Sequence, residues 1–173
     1  MLFKRWPYLI ENVDSGEKGG MEKIYLDMNI YNRPYDDQSQ ARVKLETISV
    51  FEILSAMKSG RIHVAWSFIL DYENSLNPYD DIRLEIESLA HFASEMIDAD
   101  DTIRRFAKTY EIKGVKPRDA LHIACAETWG AEHFVTCDDR LVKKQKALPI
   151  IVKLTNPIDF ILHLEERKNA GYH

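Results

Sequence analysis

From Lys23 onward, short apolar runs alternate with longer stretches in which apolar residues recur at helical spacing. Strand–helix alternation of this kind predicts a parallel sheet covered by helices on both faces, an α/β three-layer sandwich. Strands are predicted at 23–27, 62–66, 133–136 and 150–152. In the second, Ile62, Val64 and Trp66 alternate with Arg61, His63 and Ala65, which predicts one better-buried face. Over 39–58, Leu45, Ile48, Phe51, Leu54 and Met57 fall at three-residue steps, and Val50 widens the stripe into a core-facing helix surface that Gly60 ends. A helix is also expected from Ser67 to about Ser75. After the break at Asn77-Pro78, the spacing of Ile82, Ile86, Leu89 and Phe92 predicts a helix over 79–95. Further helices are expected over 100–111, from Pro117, over 138–146 and from Asn156-Pro157 through Leu164. Residues 120–126 are apolar except His122, so the helix from Pro117 should be buried nearly all round.

At 173 residues the chain is long enough for one domain with its own core. Residues 1–20 are read as an N-terminal extension, non-native if translation begins at Met21. Residues 21–165 form the domain and 166–173 a polar tail. The net charge of −5 excludes a broadly basic coat, so any nucleic-acid contact must come from a local patch. Cys125 and Cys137 have neither redox-pair nor zinc-site spacing. Reduced thiols, a short apolar stretch near the N-terminus and the absence of any long apolar run predict a cytoplasmic protein with no membrane segment.

Ligands of an open parallel sheet bind where the carboxyl ends of its strands gather. Asp27 closes the first predicted strand, Glu73 lies past the second, and Asp138 follows Thr136 at the end of the third. Asp119 joins them in the first turn of the buried helix, where the macrodipole favours a carboxylate. Four acids at one edge repel one another unless neutralised, which points to a hard divalent cation, Mg²⁺ or Mn²⁺. A cation there makes hydroxide available and offsets charge on a phosphate, the chemistry of phosphodiester hydrolysis. No GxxxxGK[ST], GxGxxG or Ser/His/Asp pattern offers another chemistry.

These segments resemble the PIN-domain nucleases, which include the toxin ribonucleases of toxin–antitoxin pairs. The resemblance lies in 24–29 (IYLDMN), 67–73, 117–124 (PRDALHIA) and 134–138 (FVTCD), and spans about residues 22–160. It implies a central parallel sheet and a Mg²⁺- or Mn²⁺-dependent endoribonuclease acting on RNA. It further implies Asp27, Glu73, Asp119 and Asp138 as metal ligands, Asn29 and Thr136 as supporting groups, and a homodimer held by a small antitoxin. In the second motif Asp71 competes with Glu73; two positions apart on a helix, only one can point inward, and Glu73 is chosen. In the fourth, Thr-x-Asp spacing favours Asp138, leaving Asp139 to cap the following helix.

Cations flank the acids: Arg33 after Asp27, Lys113, Lys116 and Arg118 before Asp119, and Arg140, Lys143, Lys144 and Lys146 after Asp138. They are either solvated helix faces or a patch for RNA phosphates. His122 is expected to be a satisfied, partly buried side chain beside Asp119. The pairs Asp36-Asp37, Asp80-Asp81 and Asp100-Asp101 are expected to start helices. Two other readings stay open. One is a PIN-like binding module with weak or no catalysis. The other is a phosphatase of the haloacid dehalogenase type, which needs an Asp where this chain has Asn29.

Overall fold

The computed structural model describes residues 21–170, so the expected extension 1–20 and the last tail residues lie outside the described residues. Five parallel strands, β1 (Lys23–Leu26), β2 (His63–Ser67), β3 (Glu95–Ile97), β4 (His133–Val135) and β5 (Lys153–Thr155), stand in the order β3-β2-β1-β4-β5. The helices are α1 (Met28–Asn32), α2 (Ala41–Lys58), α3 (Phe68–Ser75), α4 (Asp80–Leu89), α5 (Asp101–Ile112), α6 (Pro117–Trp129), α7 (Asp139–Lys144) and α8 (Pro157–Asn169). The chain steps one way across the sheet from β1 to β3 and the other way from β3 to β5. Right-handed connections therefore place helices on both faces, with α2 packed on α8 and α5 on α6. The order in which strands are added reverses between the parallel neighbours β1 and β4, and a crevice opens beyond their carboxyl ends.

The central strands are buried on both faces. Ile24, Tyr25 and Leu26 of β1 and Val64, Ala65 and Trp66 of β2 are all fully enclosed. The single better-buried face expected for β2 is thus replaced by two, because helices cover both sides. Tyr25 faces α6, where its hydroxyl meets His122, so Ile24 and Leu26 turn to the opposite layer. Gly130, at φ 76°, ends α6 in the left-handed conformation and turns the chain into β4.

The bounds or faces of four further elements differ from the sequence reading. Leu45 and Ile48 of α2 are exposed, whereas Val43, Glu46, Thr47, Val50, Ile53, Leu54 and Met57 face inward. Three-residue steps drift about 60° per step around a helix, and the buried stripe follows the true 3.6 period. The helix expected over 79–95 stops at Leu89, and β3 follows, an edge strand whose Ala65↔Glu95 pairing uses backbone alone. The last strand is 153–155 rather than 150–152, because β4 pairs His133 with Lys153 while Glu127 accepts the amides of Ile151 and Val152. Finally, α8 continues through 166–169 of the expected tail.

Asp100 caps α5 by accepting from the Ile103 amide, and Asp80 and Asp81 lie in the first turn of α4. Asp36 instead pairs with Arg33, and Asp37 accepts from the Ser39 amide ahead of α2. Cys125 and Cys137 are free thiols. Among the described residues no helix is long and apolar enough to cross a membrane.

Candidate active site

Asp27 is the residue after β1, and its amide continues the ladder by donating to Val135 O at 3.0 Å. Its carboxylate is thereby fixed at the β1/β4 crevice, almost fully buried. Oδ2 accepts from Asn29 Nδ2 at 2.6 Å and from Thr136 Oγ1 at 2.7 Å. Asn29 also donates to Thr136 Oγ1 at 3.0 Å and accepts from the Cys137 amide at 2.9 Å. Asn29 and Thr136 thus clamp the ends of two strands together through one carboxylate oxygen, leaving Oδ1 outside the clamp.

Glu73 reaches the same crevice from α3. Its Oε2 lies 2.9 Å from His122 Nε2 and its Oε1 3.8 Å from Arg118 Nη1. Asp71 turns away and accepts from Trp66 Nε1 at 2.6 Å, so the competing acid is occupied by the core. Asp119 stands in the first turn of α6 and Asp138 at the head of α7. Here a sequence expectation is corrected: Asp138, not Asp139, caps α7, accepting from the Arg140 and Leu141 amides at 2.8 and 3.3 Å. Asp139 forms a bidentate pair with Arg42 at 2.5 and 2.6 Å.

The four acids line one cleft of about 420 Å³, together with Asn29, Arg33 and Arg118. Burial raises the Asp27 carboxyl above the usual range and the Glu73 charge adds to it, opposed by His122 and the Thr136 hydrogen bond. Asp119 is raised by burial and by Asp27 and Asp138, against Lys116 and His122. A divalent cation would relieve this strain, and the ligand atoms of Asp27, Glu73 and His122 already lie within 4.8 Å of one another. Oxygen donors from Asp27, Glu73, Asp119 and Asp138 suit a hard ion.

His122 is the residue whose place in the site the sequence reading missed. It is buried, as expected, but both ring nitrogens are engaged: Nδ1 with Tyr25 Oη at 2.9 Å and Nε2 with Glu73. Tyr25 in turn meets Ser67 Oγ at 2.6 Å. Burial lifts the Tyr25 phenol well above its ordinary range, so it remains a neutral hydrogen-bonding group. The signal was its spacing, since positions 119 and 122 share a helix face.

The basic residues do not gather as one patch. Arg33 is engaged by Glu46 at 3.0 Å, Asp36 at 2.7 Å and Cys137 Sγ at 3.2 Å, so its guanidinium is tied to protein partners beside the cleft. Lys144 donates to Gly114 O, and Lys143 and Lys146 line a separate open pocket with Gln145 and Ile150. Arg118 is over half exposed at the cleft, 5.7 Å above the Tyr72 ring; Lys116 and Arg140 are exposed.

Neutralising one cleft acid should stabilise the metal-free fold. A carboxyl raised above its unfolded value penalises the folded state at neutral pH, and that penalty disappears as pH falls through the folded pKa. Asp119→Asn is therefore expected to raise the metal-free Tm at pH 7 by a few degrees and to lose that advantage below pH 4. A Tm equal to or below wild type at pH 7 would contradict the electrostatic account.

The PIN domain family matches residues 24–147 of the chain. No curated protein matches it in sequence. Among solved structures, the fold is similar to a chain in the crystal structure of VapBC2 from Rickettsia felis bound to a DNA fragment from their promoter. The TM-score is 0.51 at 19% identity, covering 78% of this chain and 98% of that one.

Proposed function

Because the chain belongs to the PIN-domain family, whose members are generally nucleases, we propose that it is a Mg²⁺- or Mn²⁺-dependent endoribonuclease, the toxin of a toxin–antitoxin pair. The observation that carries this reading is the convergence of Asp27, Glu73, Asp119 and Asp138 on one cleft where burial and mutual repulsion raise Asp27 and Asp119. When bound, a divalent ion supplies an activated water and offsets charge building on the phosphate. Asp27, Glu73, Asp119 and Asp138 would hold it.

The chain's own residues do the positioning. Asn29 and Thr136 fix one oxygen of Asp27, so the other is presented to the cleft in one orientation. His122, braced by Tyr25, fixes Glu73 in the same way. The backbone amides that start α7 hold one Asp138 oxygen and leave the second for the cleft. Arg118, with Lys116 and Arg140 more peripheral, supplies the positive charge an RNA phosphate needs beside a carboxylate pocket. Homodimerisation and capture by a small antitoxin belong to the same reading. Leu76, Tyr79 and Leu84, around the α3–α4 turn, are over half exposed and offer apolar surface for such partners.

The test is cleavage of a mixed RNA pool by the purified chain with Mn²⁺. Cleavage is expected to stop with chelator and to fall strongly in Asp119→Asn. Equal cleavage by wild type and Asp119→Asn would assign the activity to another site or a contaminant. Binding without cleavage by the wild type would favour the binding-module reading.

A further inference from the structure

A second constellation lies at the amino-terminal ends of the central strands, opposite the acid cleft. Glu22 precedes β1, His133 opens β4, and His163 projects from α8. Glu22 and His133 are almost wholly buried and His163 is partly open to solvent. One carboxylate oxygen, Glu22 Oε1, lies 3.2 Å from His133 Nε2 and 2.8 Å from His163 Nε2. The imidazole centroids lie 4.6 Å apart with the planes tilted by 36°, and both Nε2 atoms approach the same carboxylate oxygen. Phe160 walls the cluster, 5.3 Å from the His133 ring and 6.1 Å from that of His163.

We propose that Glu22, His133 and His163 form a cation site of the zinc class, separate from the acid cleft, that pins α8 to the amino-terminal ends of β1 and β4. All three ligand atoms lie within 4.8 Å of one another. Bonds of about 2.0–2.2 Å in a tetrahedral site imply ligand separations of about 3.3–3.6 Å, so the observed 3.2 Å is nearly in place and the 2.8 Å contact opens by about 0.5–0.8 Å on binding. Two imidazoles and a single carboxylate favour Zn²⁺ over Mg²⁺, which takes oxygen donors and keeps its waters. The exposed side of His163 leaves room for water as a fourth ligand.

Two further facts bear on the site. Glu22 Oε2 is buried without a hydrogen bond, and its neighbouring charge is Arg167 Nη1 at 3.4 Å. His133 Nδ1 is buried and also without a hydrogen-bond partner, so Nε2 is the one ring nitrogen with a polar neighbour. Arg167 competes with an ion for Glu22.

Zinc binding is tested on the full chain carrying Asp27→Asn and Asp119→Asn, so that the acid cleft does not contribute. Equilibrium dialysis with Zn²⁺ is expected to show about one ion per chain, undisplaced by millimolar Mg²⁺. Co²⁺ in its place should give the visible absorption of a tetrahedral site. Adding His163→Gln should weaken Zn²⁺ at least tenfold while the zinc-free protein still melts cooperatively. Arg167→Gln, which removes a competing cation and no ligand, should bind Zn²⁺ as tightly or more tightly. No retained zinc in the doubly substituted chain, equal affinity after His163→Gln, or loss of zinc on Arg167→Gln would each overturn the proposal. None of these readouts depends on ribonuclease activity.

Discussion

Asp27→Asn is expected to lower Mn²⁺-dependent RNA cleavage by about 10²–10³-fold, the usual loss when one electrostatic group facing the transition state is removed. Asn is nearly the same size, and its oxygen can still accept from Asn29 and Thr136, so the β1/β4 clamp survives. What changes is the charge on the oxygen facing the cleft. Mn²⁺ affinity should fall with the rate, while the metal-free protein should melt no lower than wild type, since burial disfavours the ionised Asp27. Thr136→Val removes only the oriented hydroxyl and should cost less, about 10–100-fold. Rate and Mn²⁺ affinity at wild-type values in Asp27→Asn would remove the residue from the site.

The largest stability effect is expected away from the acids, at Glu46. This side chain on α2 is 2% exposed and holds two guanidinium groups, Arg33 at 3.0 Å and Arg42 at 2.8 Å. Removing one member of a buried ion pair strands its partner and costs about 3–5 kcal/mol. Arg33 keeps Asp36 and Arg42 keeps Asp139, so Glu46→Ala should fall at the low end, about 3 kcal/mol. A loss of that size lowers Tm by about 6–12 °C in a domain this large. It should shift the urea midpoint with an unchanged slope. Arg33 lines the cleft and its carbonyl accepts from Thr47 Oγ1 at 3.1 Å, so cleavage should fall as well. A stability change under about 0.5 kcal/mol, the range of ordinary surface substitutions, would show that the buried carboxylate is not the anchor of this loop.

Glu46 also shows why part of the architecture was hidden from the sequence. Read as a pattern, 39–58 offers Leu45 and Ile48 as core residues, yet both are exposed and Glu46 between them is buried. Arg42, four positions back on the same helix, is a local partner, but Arg33 lies 13 positions earlier and Asp139, which holds Arg42, comes from α7, so local pattern alone could not show that this acid is buried. Glu95–Ile97 was illegible for a related reason: an edge strand held by backbone pairing to β2 needs no apolar alternation of its own. Which acids reach the cleft was more legible: Asp27 and Asp138 emerge just past β1 and β4, Asp119 opens α6, and Glu73 lies in the second half of α3, where only it or Asp71 could point inward. The capping of α7 by Asp138 rather than Asp139 was not, since Asp139 is taken by Arg42 arriving from α2.

Local chemistry along the chain determined the strand–helix alternation, the parallel sheet and the positions of Asp27, Glu73, Asp119 and Asp138, because these rest on periodicity and on residues adjacent in sequence. Tertiary structure alone decided which charges are buried in pairs and that His122 braces Glu73. It alone brought Glu22, His133 and His163 together, residues more than 100 and then 30 positions apart. The physical reason is one of range: periodicity is set by bonds and sterics between near neighbours, whereas the burial of a charged or ligating group depends on whichever partner the packed fold brings to it.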